Sequence, residues 1–101
     1  MDINNEIGVT FSAIPSNNYV SILRNKGFEV HVFERIEMRT GKTEERRIVA
    51  IKFPYPTENG EIIYDAYDSK LEERGLFAMR TLSERDIKVL QDNPTFHYQG
   101  P

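Results

Sequence analysis

Between Phe28 and Phe53 the side chains alternate in a way that leaves this chain little choice but a long β-hairpin. Phe28, Val30, Val32, Ile36 and Met38 fall on even positions, while His31, Arg35, Glu37 and Arg39 fall on odd ones. That period of two belongs to a strand with one buried face. The chain turns at Thr40-Gly41-Lys42-Thr43 and returns through Ile48, Val49, Ala50, Ile51 and Phe53. A Gly41-Lys42 loop suits a type II′ turn, because glycine accepts positive φ at the first central position. This turn predicts a register with Val30 opposite Phe53, Val32 opposite Ile51, Arg39 opposite Glu44 and Glu37 opposite Arg46. Apolar pairs then share a face and opposite charges meet near the tip.

The 101 residues suit a single domain, and a hydrophobic fraction of 39% supports a modest core. No apolar run approaches the ~20 residues that span a bilayer. The opening Met1–Glu6 is acidic and carries neither the basic nor the apolar part of a secretion signal. Cysteine is absent, which removes disulfides, thiolate catalysis and thiolate metal sites together. A cytoplasmic location is the expectation, since small secreted domains are more often stapled by disulfides. The net charge of −3 argues against a dedicated binder of nucleic acid or anionic membranes. The charges are unevenly spread: Arg35 to Arg47 holds five basic and three acidic residues, and Glu58 to Glu73 holds six acids and one lysine.

Ile7 to Ser12 alternates as a short strand, and residues 1–6 before it are expected to be loosely ordered. Ser16 is an N-cap for a helix through Tyr19, Val20, Leu23 and Lys26, with Gly27 just past its end. The return strand of the hairpin stops at Pro54 and Pro56. Asn59-Gly60 marks a turn before a strand from Glu61 to Tyr67. Asp68 to Arg74 reads as a loop or a single helical turn, and Leu76 to Thr81 as a further strand. Ser83 with Asp86 forms a capping-box pair, and Leu82 with Ile87 a hydrophobic staple, for a helix that Asp92-Asn93-Pro94 ends. Residues 95–101 add an edge strand or stay loose. The fold expected is α+β: one small domain of order β-α-β-β-β-β-α, a mainly antiparallel sheet of four to six strands, and two short helices covering one face.

Catalytic signatures are missing. Thr40-Gly41-Lys42-Thr43 resembles the end of a phosphate-binding loop, but the first glycine of that motif would fall on Ile36, inside a strand, and no helix follows. His31 and His97 have no local metal-ligand spacing, and no G-x-S-x-G elbow occurs. Glu61 and Asp65 share a strand face with Asp68 and Glu72 close behind, which leaves a metal-dependent hydrolase using the 58–73 segment as a second alternative. Positions four apart on a strand are ~13 Å apart, so a solvated acidic edge is the simpler reading.

Binding is the better expectation. Arg35, Arg39, Lys42, Arg46 and Arg47 give the hairpin a basic ribbon of a width that enters a major groove, although Glu37, Glu44 and Glu45 are interleaved. Phe33 is the one large apolar residue on the charged odd face, an anchor of the kind interfaces use, unless a helix or the tail covers it. Tyr55, between two prolines, and Tyr98 are further exposed-aromatic candidates. The sequence therefore predicts a small non-enzymatic protein that binds another protein through Phe33, Arg35, Arg39, Lys42, Arg46, Arg47 and Tyr55. It calls for no cofactor and no membrane; a nucleic-acid module on residues 35–47 is the alternative, and self-association through an edge strand is open. In type the chain suggests a phage or mobile-element accessory, inhibitor or immunity protein.

Overall fold

The computed structural model describes residues 15–73 and 79–101, with the backbone only for Arg39, Glu72 and Glu73. The expected strand at Ile7–Ser12 and the beginning of the one at Leu76 lie outside the described residues. Helix α1 (Asn17–Asn25) starts at Ser16, whose hydroxyl accepts the Tyr19 N–H at 3.2 Å. It ends at Lys26, and Gly27 follows with φ +93°, a conformation glycine adopts without a Cβ clash.

Strands β1 (Val30–Arg39) and β2 (Lys42–Lys52) form the hairpin, followed by β3 (Ile63–Asp68), the single-turn helix α2 (Ser69–Glu73), β4 (Met79–Ser83), helix α3 (Glu84–Asp92) and β5 (His97–Gln99). All five strands pair antiparallel in the order β4-β3-β2-β1-β5. The fold is α+β, with three short helices among the described residues. Of the two readings of the tail, the edge strand is the one formed.

The hairpin register differs from the expected one by two residues. Val30 lies opposite Ile51, Val32 opposite Val49, Glu37 opposite Glu44 and Arg39 opposite Lys42. The turn explains the difference: Thr40 and Gly41 are its central residues, at φ +45° and +79°. Positive φ at both positions is the type I′ pattern, whose twist matches the flanking strands. A shift of two preserves the faces but sets Glu44 opposite Glu37 rather than Arg39, and Arg46 opposite Arg35 rather than Glu37.

The helices do not share a face. On one side Val20 and Leu23 of α1 pack on Val30, Val32 and Val49, with Ile51 beside them. On the other, Ile87 of α3 and Phe96 join Phe33, Ile48, Ala50, Tyr64, Ala66 and Leu82. Central strands are thus buried on both sides, which is why Ile48-Val49-Ala50 reads as an unbroken apolar run rather than an alternation. At the start of α3, Ser83 Oγ accepts the Asp86 N–H at 3.1 Å and Asp86 accepts the Ser83 N–H at 2.9 Å. Leu82 and Ile87 are both buried, as the staple pattern predicts.

Candidate functional site

Length mismatch creates the feature that stands out. β3 pairs with β2 only over Ile48–Lys52, and β5 pairs with β1 only over Val32–Glu34. Among the described strands, residues 35–39 and 42–46 therefore pair only with each other, and the hairpin extends past the sheet as a two-stranded arm. Ile36 and Met38, expected to join the core with the other even positions, lie beyond the reach of α1. They are 68% and 73% exposed, side by side on the arm. A cleft of about 500 Å³ opens beside Ile36, lined also by Glu34, Arg47, Thr95 and His97.

The basic residues of the arm are largely engaged. Arg46 makes a two-point contact with Asp68, Nε to Oδ1 at 3.2 Å and Nη2 to Oδ2 at 2.7 Å. Asp68 is almost fully buried, not part of a solvated acidic edge. It also accepts the Lys70 N–H at 3.0 Å and lies 3.5 Å from Arg80 Nη2. Burial alone would raise its pKa, but the Arg46 bonds, the Lys70 amide and the two positive charges outweigh it and hold the carboxyl below its ordinary 3.8. Arg35 donates to Glu37 at 2.9 Å and to Thr95 at 3.3 Å, and its guanidinium lies 4.6 Å from the centre of the Phe96 ring. Arg47 donates to Asn17 at 2.6 Å and lies 3.7 Å from Glu34. Arg39 and Lys42 close the turn, with Lys42 exposed. Three of the five expected phosphate contacts are thus ion-paired to carboxylates.

Phe33 is not an exposed anchor. It has no exposed surface, stacks on Tyr98 at 5.1 Å between ring centres and meets Phe96 edge-on at 6.3 Å. Helix α3 and the tail cover its face of the sheet. Tyr98 is half-buried for the same reason, whereas Tyr55 is 72% exposed on the loop between β2 and β3.

A buried hydrogen-bond chain lies behind Phe33. His31, expected on a charged surface, is buried with Nε2 2.7 Å from Glu29 Oε2 and Nδ1 2.6 Å from Tyr98 Oη. Tyr64 Oη donates to the same Glu29 oxygen at 3.1 Å, and Gln91 Nε2 donates to Tyr98 at 2.9 Å. A carboxylate only accepts, so in the neutral imidazole Nε2 carries the proton and Nδ1 accepts from Tyr98. Donors then run in one direction from Gln91 through Tyr98 and His31 to Glu29. The His31 bond, opposed by partial burial and aided by Tyr64 and Lys52, keeps the Glu29 pKa low. Burial and the Glu29 bond push Tyr64 up to about 12. The chain joins β1, β3, α3 and β5, and ends where Glu29 meets a shallow cleft of about 460 Å³ lined by Lys26, Phe28, Lys52 and Phe53. The Glu29-x-His31 spacing, two residues on one strand face, was the available sequence signal; nothing local pointed to Tyr98.

Among the described residues no group of three or more histidine, aspartate or glutamate side chains is placed to hold a metal ion. Asp65 and Asp68 point to opposite faces of β3. No helix among the described residues is long and apolar enough to cross a membrane. Compared with protein-family models, with curated proteins and with solved structures, the chain matches none of them.

Proposed function

We propose that this chain is a non-enzymatic binding protein whose hairpin arm captures another protein, in an accessory or inhibitory role. The observation that carries this reading is the adjacent exposure of Ile36 and Met38 on an arm projecting past the sheet. Large apolar side chains placed together on a protruding element, rimmed on the same face by Glu34, Glu45 and Arg47, resemble the core and rim of an interface. The surface differs from the sequence-based one: Ile36 and Met38 take the place of Phe33, and Tyr55 lies on a separate loop. Ion pairing of Arg35, Arg46 and Arg47 favours a protein over nucleic acid, because a phosphate would have to displace a carboxylate at each.

The test is capture from a lysate of the native host with tagged protein, comparing the wild type with the Ile36→Glu/Met38→Glu double variant. Both positions are exposed, so each change is expected to alter stability by no more than about 0.5 kcal/mol. The expected result is one protein recovered in near-equal amount, insensitive to nuclease and lost in the variant. Undiminished capture by the variant would refute the assignment. Capture abolished by nuclease, with affinity falling steeply as salt rises, would replace it with the nucleic-acid reading.

A further inference from the structure

The two edges of the hairpin arm differ in the side chains they carry, apolar Ile36 and Met38 on β1 against Glu45 and Thr43 on β2. In an antiparallel pair closed by a two-residue loop, the residues flanking the loop exchange hydrogen bonds, so Arg39 with Lys42 sets the parity. Odd residues of β1 and even residues of β2 bond across the hairpin, while even residues of β1 and odd residues of β2 face outward. Four hydrogen bonds agree with this assignment. Lys52 N–H goes inward to Glu29 O at 2.9 Å, and Phe53 N–H goes outward to Ile63 O at 2.9 Å. Arg47 N–H goes outward to Ser69 Oγ at 2.9 Å, and the outward carbonyl of Val30 accepts Arg24 Nη2 at 2.9 Å.

The outer edge of β2 is covered by β3 over Ile48–Lys52 and by Ser69 at Arg47; at Glu45 and Thr43, beyond it, the side chains are polar and no described strand pairs alongside. The outer edge of β1 is covered by Arg24 at Val30 and by β5 at Val32 and Glu34, and among the described residues the cover stops there. The N–H and C=O groups of Ile36 and Met38 point away from β2, and none of the described backbone pairs with them. The cleft beside Thr95 and His97 lies where an extension of β5 would run. Ile36 and Met38 thus offer exposed apolar side chains and free ladder groups at the same two positions.

We infer that the arm captures its partner by strand addition: an extended segment of the partner pairs antiparallel with the outer edge of β1 at Ile36 and Met38, in line with β5. The inference rests on the reading that the arm binds a protein. The same edge of a second copy fits it poorly. Setting Ile36 opposite Met38 of the copy also sets Arg35 opposite Arg39 and Glu37 opposite Glu37. Setting Arg35 opposite Glu37 places Met38 opposite Glu34, where β5 already lies. Setting Glu37 opposite Arg39 pushes Ile36 opposite Thr40, in the turn. Each of these pairings of the edge with itself meets like charges, a steric block or the loop. The fitting occupant is a different sequence: apolar residues opposite Ile36 and Met38, a base opposite Glu37 and an acid opposite Arg35.

The probe is an amidated six-residue peptide, valine-glutamate-valine-lysine-valine-glutamate, with the charge-exchanged peptide (lysine for glutamate and the reverse) as control. Amide hydrogen exchange of the full chain is read residue by residue by NMR. In the free protein the Ile36 and Met38 amides exchange fast and those of Arg35 and Glu37 slowly. Saturating peptide is expected to slow Ile36 and Met38 about tenfold, the protection given by ~90% occupancy, with the control peptide weaker. Side-chain methyl shifts at Ile36 and Met38 without amide protection would show docking on the arm's face and overturn strand addition. No protection with either peptide would overturn it as well. So would protection without peptide that grows with protein concentration, since a second copy would then fill the edge. Each of these leaves the protein-binding reading standing if Ile36→Glu/Met38→Glu abolishes lysate capture; undiminished capture by that variant removes the reading itself.

Discussion

Asp68 shows how a residue assigned to a surface by its neighbours in sequence ends up inside. It is the last residue of β3, opposite Ile48, and its carboxylate is held by Arg46 from β2 and approached by Arg80 from β4. Removing one member of such a pair leaves the other charge partly buried. Asp68→Ala is expected to cost about 3 kcal/mol at neutral pH, at the lower end for buried pairs because Arg46 keeps some solvent contact; urea unfolding measures it. Because its folded pKa lies below the unfolded 3.8, the wild-type advantage is complete above 3.8. It declines as pH falls through the lower folded value. The difference between wild type and variant should therefore narrow across that acid window, and a constant difference would mean that Asp68 contributes through packing alone. Tyr98→Phe tests the second buried network. It leaves His31 Nδ1 and Gln91 without their partner and is expected to cost about 1–3 kcal/mol, with faster amide exchange in β5. An unchanged β5 would show that ring stacking on Phe33, not the hydrogen bond, fastens the tail.

Among the elements, those fixed by neighbours in sequence are the legible ones. Ser16 and Ser83 cap α1 and α3 with their own hydroxyls, and the Asp86 and Ile87 partners lie within one turn. Both helices were therefore legible in the sequence to within a residue or two. The hairpin is legible in the sequence as an element, but its turn is not, because Gly41 suits either the first central position of a II′ turn or the second of a I′ turn. Thr40 makes the I′ choice costly, since a β-branched residue at φ +45° meets its own backbone. Thr40→Asn should relieve part of that cost and stabilise the protein by up to about 1 kcal/mol, raising the urea midpoint without altering its slope. A decrease would indicate that the Thr40 side chain makes a compensating interaction. The helical turn at Ser69–Glu73, left open as loop or helix, is fixed by contacts across the sheet: Ser69 caps the outward amide of Arg47, and Asp68 accepts the Lys70 amide.

For the molecule as a whole, placing α1 and α3 on opposite faces makes the sheet a shared wall between two cores. Truncating either side, Leu23→Ala or Ile87→Ala, should cost about 2–4 kcal/mol, and each should leave a single cooperative transition. Separate transitions would show that the two faces melt independently. Alternation, caps and turn residues determined by themselves that this chain forms an antiparallel α+β sheet with a long central hairpin, because strand period and helix capping depend on neighbours in sequence. Which face each helix covers, the burial of Phe33 and His31, the Arg46–Asp68 pair and the exposure of Ile36 and Met38 were decided only by tertiary structure. Each depends on where strands far apart in sequence begin and end against one another: α3 and the tail bury Phe33 and His31, β3 brings Asp68 to Arg46, and the shortness of β5 leaves no described strand beside the outer edge at Ile36 and Met38.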